Sequence, residues 1–297
     1  MLFALMTFLC WGTADLFYKI GNKKAGDYNH LKTGICVGLI MGIHAIIYML
    51  VKRIDFNIIE IIRYLPVSLL YIISMVIGYK GLKYLELSIA SPIQNCSGVI
   101  TAILLLLFFK ETLQIPAYIA FLLILIGVIL LGVIESQEKK DNRVTLKNSL
   151  TKKKIVLLTM IFPIVYCILD GLGTFLDAIY LDKMKLISED NALIAYEYTF
   201  LIYSIITYIY LKKKRAKLTI KSEKTKVIAA IFETIGQFFY VYAMSANSII
   251  TAPIVGSYCI LSLLWSRIFL KEKLSKKHYL AISLVIIGII ILGILDI

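Results

Sequence analysis

Apolar runs about as long as a bilayer is thick follow one another along this chain and leave room for little else. They lie near 2–20, 31–52, 64–85, 88–109, 115–134, 154–181, 190–211, 226–246, 248–270 and 278–297. A helix needs about 20 mostly apolar residues to cross the hydrocarbon core. A barrel strand would alternate apolar and polar positions, and these runs do not alternate, so they predict ten transmembrane helices. Of 297 residues, 60% are hydrophobic and 17% charged; a soluble domain could not cover so apolar a chain, and disorder is excluded for the same reason. Segment 154–181 is long for one span and predicts a tilt or an extension beyond the bilayer. The first run lacks a basic start and a small-residue cleavage site, which predicts a retained helix rather than a cleaved leader. Cys10, Cys36, Cys96, Cys167 and Cys259 fall singly inside apolar runs and read as small packing residues.

The chain also repeats itself. At a shift of 161 residues, Pro92 meets Pro253, Lys110-Glu111 meets Lys271-Glu272, Tyr118 meets Tyr279, Gly127 meets Gly288 and Gly132 meets Gly293. Between positions 79 and 132 this register gives 16 identities in 54 ungapped pairs. Richness in Ile and Leu would not align Pro, Lys-Glu and two Gly together. At a shift of 155, Trp11 and Asp15 meet Tyr166 and Asp170. The expected organisation is a first five-helix repeat over 1–134, a basic connecting loop over 135–153, and a second five-helix repeat over 154–297. An odd number of spans per repeat inverts the second relative to the first, the pattern of secondary transporters with a site between the halves. The expected fold is therefore an all-α polytopic membrane protein with ten transmembrane helices as two inverted five-helix repeats.

Three motifs carry a resemblance. Phe8-Leu9-Cys10-Trp11-Gly12 followed by Lys19 resembles the opening helix of EamA-type proteins of the drug/metabolite transporter superfamily. So do Lys271-Glu272-Lys273-Leu274 followed by Ala281 and Gly288, and their twin Lys110-Glu111-Thr112-Leu113 followed by Ala120 and Gly127. The resemblance covers nearly the whole chain. It implies a ten-helix metabolite carrier with a central cavity lined by both halves, working as an exporter, and it implies no particular substrate.

The net charge of +13 would suggest nucleic acid on a soluble protein. Its placement gives another meaning. Of the 32 Lys and Arg, 26 fall at the odd-numbered loops and 6 at the even-numbered ones. Basic residues stay on the cytoplasmic side, which places both termini outside, whereas the resemblance implies both inside. No nucleic-acid partner is expected. The basic stretches 139–154 and 212–226 suit anionic lipid head groups.

Ionisable groups inside spans are costly and face cavities or partners. Asp170, Glu197 and Glu233 lie within spans six, seven and eight, with Gln237 one turn beyond Glu233. Without a matching central Lys or Arg, they predict a cationic or zwitterionic substrate, a proton relay, or both. Asp15 lies nearer the end of its span, where snorkelling would serve it as well. Pro92 and Pro253 read as first-turn residues after short hairpins, with Asn95 and Tyr258 beside them as candidate lining residues. Trp11, Tyr166, Tyr79 and Tyr240 recur at paired positions, as substrate-stacking rings or as interface anchors. His44 is the histidine deepest in a span, a candidate relay group or a packed side chain. No phosphate-cradling loop, HExxH or nucleophile elbow occurs, so no cofactor, metal or ATP-driven step is expected.

The expected function is secondary transport of a small metabolite or amphipathic cation across the cytoplasmic membrane by alternating access, with possible proton or ion coupling. The alternatives are a membrane-embedded enzyme acting on a lipid-linked substrate, and a non-transporting receptor or scaffold.

Overall fold

The computed structural model describes residues 1–23, 28–85, 87–110, 114–143, 150–216, 223–271 and 275–295. These residues form helices and turns. The helices are α1 (Leu2–Asn22), α2 (Asn29–Lys52), α3 (Ile59–Tyr84), α4 (Leu87–Asn95), α5 (Ser97–Phe109) and α6 (Ile115–Arg143) in the first part of the chain. There follow α7 (Leu150–Ala178), a short π-helical turn (Ile179–Lys183), α8 (Glu189–Lys213), α9 (Lys224–Ala246), α10 (Ser248–Val255), α11 (Cys259–Phe269) and α12 (Lys276–Leu295). Among the described residues, seven helical stretches are long and apolar enough to cross a bilayer, and Ile115–Leu131 is apolar but shorter. Two of the seven, Ala90–Phe109 and Ser248–Phe269, each run through two helices broken in the middle.

The bundle is polar inside and apolar outside. Ile43, Ile47, Leu50, Ile62, Leu107, Ile206 and Ile290 are exposed, while Asp15, Asp177, Glu197 and Glu233 are buried. A protein in water could not hold that arrangement; a protein in lipid requires it. This is a multi-pass membrane protein.

Helix pairing is reciprocal. α1 packs along α9 and α3 along α7, while α2 pairs with α8, α6 with α12, and α4 and α5 cross α11 and α10. The α1–α9 contacts run antiparallel: Thr7 donates to the Gly236 carbonyl, Trp11 to the Glu233 carbonyl, and Gly21 packs on Lys226. The α3–α7 contacts do likewise, from Tyr64 on Asp177 to Gly81 on Phe162. The α6–α12 contact is equivalent read from either helix. Gly127 packs on Val285 and the Ala281 carbonyl, and Gly288 packs on Ile124 and the Ala120 carbonyl. Lys110 and Lys271 match as well, each left-handed at φ 49° and 58° beyond the end of its helix.

Contacts also collect at two ends. At one, Asn22 meets Thr33, Lys32 pairs with Glu223 at 3.5 Å, and Lys226 donates to Asn29 at 3.1 Å. At the other, Phe3 lies 5.9 Å from Tyr242, and Asp182 accepts from the Ser248 amide at 3.1 Å and hydroxyl at 2.6 Å. The first end carries Lys19, Lys32 and Lys226 and is called the basic end below.

Two expectations need correction. The stretch expected as a loop over 135–153 is helical at both sides, since α6 runs to Arg143 and α7 begins at Leu150; its Glu, Gln and Lys are good helix formers. Pro92 and Pro253 are not first-turn residues. Each is the sixth residue of its helix, and the helix ends three and two residues further on. At these breaks the backbone changes to i→i−3 bonds, Cys96 to Ile93 and Ser257 to Ile254. Asn95 donates to the Ser91 carbonyl at 2.8 Å and Ser257 to the Ile254 carbonyl, so side chains compete with the ladder where it breaks.

Candidate functional site

The broken helices open space at the centre of the bundle. A cavity of about 50 Å³ lies there, large enough for a few water-sized groups. Its wall holds three carboxylates, Asp15, Asp170 and Glu233, and no Lys or Arg. Seven aromatic residues, Trp11, Tyr18, Tyr71, Tyr79, Tyr166, Tyr196 and Tyr258, line it with Met75, Gly78, Leu82 and Gln94.

Hydroxyls hold the carboxylates. Asp15 Oδ2 on α1 accepts from Ser91 at 2.7 Å on α4 and from Ser262 at 2.8 Å on α11, so one acid ties both broken helices to the first. Asp15 is therefore a buried wall residue and does not snorkel; it is 8% exposed. Glu233 Oε2 accepts from the Tyr18 hydroxyl at 3.2 Å. Asp170 faces the hydroxyls of Ser97 and Tyr166. Hydroxyl donors orient a carboxylate without neutralising it, as a cation would. The rings are ordered too. Trp11 lies 4.9 Å from Tyr240 and 6.0 Å from Tyr258, and Tyr18 lies 4.6 Å from Tyr79.

Toward the less basic end, two tiers of tyrosine bonds cover the cavity. In the first, Tyr71 donates to Thr174 at 2.9 Å and bonds Tyr240 at 2.8 Å. In the second, the buried Tyr64 donates to Asp177. Beyond them, a wider hollow of about 380 Å³ opens at the surface, lined by Glu60, Arg63, Lys185, Glu189 and Ser245 among others. Glu60 and Arg63 pair there at 2.8 Å.

Of the residues singled out from the sequence, Asp15, Asp170, Glu233, Trp11, Tyr79, Tyr166 and Tyr258 meet in this cavity. The others do not line it. Asn95 backs Tyr258, on which it acts as a hydrogen-bond partner. Gln237 is buried on α9, and its Nε2 has no partner. Glu197 and His44 face each other between α2 and α8, with Nδ1 at 2.8 Å from both carboxylate oxygens. Among the described residues no three His, Cys, Asp or Glu side chains are placed to share a metal ion. Sequence reasoning missed Asp177, although it stands seven residues after Asp170, two helical turns along the same face. It also missed Tyr71, Tyr18 and Tyr196, which look like every other tyrosine among the 19 present.

An all-helical bundle with an apolar exterior and a carboxylate-lined cavity between broken helices defines a polytopic membrane protein with an internal polar site. The model of the EamA-like transporter family matches residues 1–133 and 171–294, and the chain belongs to that family. An uncharacterized protein of Methanocaldococcus jannaschii is 31% identical over 134 residues, which are 45% of this chain and 96% of that one. A solved crystal structure superposes with a TM-score of 0.70 at 13% identity, covering 99% of this chain and 97% of the other, and so shares the fold.

Proposed function

We propose that this protein is a secondary carrier of a small organic cation in the cytoplasmic membrane, built of ten spans in two inverted five-helix halves and working by alternating access. The observation that carries the reading is the cavity wall: three carboxylates and seven aromatic rings with no Lys or Arg among them. Intramembrane carboxylates mark pathways, and aromatic faces bind ammonium groups by about 0.5–2 kcal/mol each. The reciprocal helix pairing and the matched Gly127 and Gly288 contacts support the inverted halves. So does the archaeal relative, nearly all of which is matched by 45% of this chain. The tyrosine tiers suit an occluded state, and export is the direction that the family resemblance implies. Basic residues at the odd-numbered loops support a cytoplasmic basic end.

Reconstituted protein is expected to take up a quaternary ammonium dye or a polyamine, and to take up anionic amino acids no faster than empty liposomes. Equal flux for cations and anions would reject the cation reading. A cysteine replacing Lys214 in a cysteine-free background is expected to resist an impermeant maleimide in intact cells and to react in inside-out vesicles. Labelling of intact cells would reverse the orientation.

A further inference from the structure

We propose that His44 and Glu197 form a proton-binding site separate from the cation cavity, loaded from the less basic end and coupled to relative movement of the two halves. The coupling rests on the carrier reading; the proton site does not.

Glu197 is wholly buried on α8, and His44 on α2, 31% exposed at its side chain, reaches both its oxygens at 2.8 Å. Neither residue lines the cavity. A buried carboxylate held by one imidazole can exist with one exchangeable proton between them, at net −1, or with two, at net zero. Uptake of one proton from the aqueous end makes the pair neutral, and its release restores the charge. A neutral pair moves through apolar surroundings more cheaply than a charged one.

Hydroxyls gather beside it on the side of the less basic end. Tyr48, one turn along α2, stacks 5.7 Å from the His44 ring. Asp190 accepts from Tyr48 at 2.7 Å and also from Tyr242, and the two hydroxyls lie 2.6 Å apart. Asp190 stands in the first turn of α8, at the less basic end. The ionisable groups that these contacts bring to the pair are therefore Tyr48 from α2, Asp190 from α8 and Tyr242 from α9, while Phe238 of α9 presents an apolar ring 6.2 Å from His44.

The position gives the proton leverage. α2 and α8 hold equivalent places in the two parts of the chain and pack on each other. Their seam is tight: a Cβ on Gly38 would fall 2.1 Å from the Phe200 carbonyl. Any rocking of one half against the other shears this seam, and the His44–Glu197 pair bridges it.

Two measurements test the proposal on full-length protein in phosphatidylethanolamine–phosphatidylglycerol liposomes. First, in cation-free protein, the His44 ring nitrogen signals, assigned with His44→Gln, are expected to titrate between acid and alkaline pH, and Glu197→Gln is expected to displace that titration. Signals that never move with pH, or a titration that Glu197→Gln leaves unchanged, would overturn the proton site whatever the protein carries. Second, an imposed pH gradient is expected to accelerate tetraethylammonium uptake by about 10-fold in the native protein. His44→Gln and Glu197→Gln should keep equilibrium exchange and lose the acceleration. Acceleration that persists in both variants would overturn the coupling and leave the carrier reading intact. Absence of any cation uptake in the native protein would overturn the carrier reading and the coupling with it, while the ring titration still decides the proton site.

Discussion

Asp15→Asn, Asp170→Asn and Glu233→Gln are each expected to lower the affinity for a quaternary ammonium probe by about 10-fold or more, while Glu197→Gln is expected to leave it within about twofold. The three amides keep the shape of the acids they replace and take from each position the capacity to carry a negative charge opposite a bound cation. A unit charge at about 4 Å is worth about 4 kcal/mol at a protein-like effective dielectric constant. Desolvation of both partners takes back much of that, and about 1.4 kcal/mol left over already gives tenfold. Ligand-induced stabilisation reads the effect directly. A probe at 100 times its Kd stabilises the folded form by about 2.7 kcal/mol, and the same concentration, now 10 times the Kd, by about 1.4 kcal/mol. Equal stabilisation of all four variants would mean that the cavity is not where the cation sits.

Gly98→Leu is expected to cost about 3 kcal/mol or more, at the upper end of what overpacking usually does. A Cβ on Gly98 would stand 2.6 Å from the Ala252 carbonyl oxygen and 3.1 Å from the Gly256 Cα. Both obstacles are backbone, so no rotamer change relieves them. The same crossing read from the other side puts a Cβ on Gly256 3.0 Å from the Gly98 Cα. Gly173→Ala is the matched control, because its new methyl would find its nearest neighbours at 3.4 and 3.5 Å, ordinary contact. That substitution is expected to be neutral or stabilising by up to about 1 kcal/mol through helix propensity. Thermal unfolding in detergent checks both, and equal losses at the two sites would show that the α5–α10 crossing is not a close backbone contact.

Helical architecture was legible in the sequence because lipid leaves the backbone few choices. Runs of Ile and Leu mark helices wherever they lie. The carboxylates were read less well: the repeat set Asp15 against Asp170, yet the expected trio was Asp170, Glu197 and Glu233, whereas the cavity gathers Asp15, Asp170 and Glu233. Partners across the bundle were not legible. Nothing local distinguishes Glu197, which faces His44 153 residues away, from Glu233, which faces the cavity. The prolines misled for a related reason. Local rules place Pro92 and Pro253 in a first turn, whereas the helices run past them and break where Asn95 and Ser257 bond nearby carbonyls. Tyr71 and Tyr240 meet only because α3, α7 and α9 converge, and no spacing along the chain reports that.

The hairpin between α3 and α4 and the hairpin between α9 and α10 are held by side chains of opposite sign. In the first, Lys19 donates to the carbonyls of Leu82, at 2.8 Å, and Leu85. In the second, Asp182 accepts from the amide and hydroxyl of Ser248. A carrier made of two identical halves would face either side with equal free energy and rest half open each way. In the proposed carrier, opposite latches on these two hairpins remove that equality. An imbalance of only about 1.4 kcal/mol leaves ten molecules waiting on one side of the membrane for each one on the other. The resting direction of such a protein is therefore written in the residues where its halves disagree.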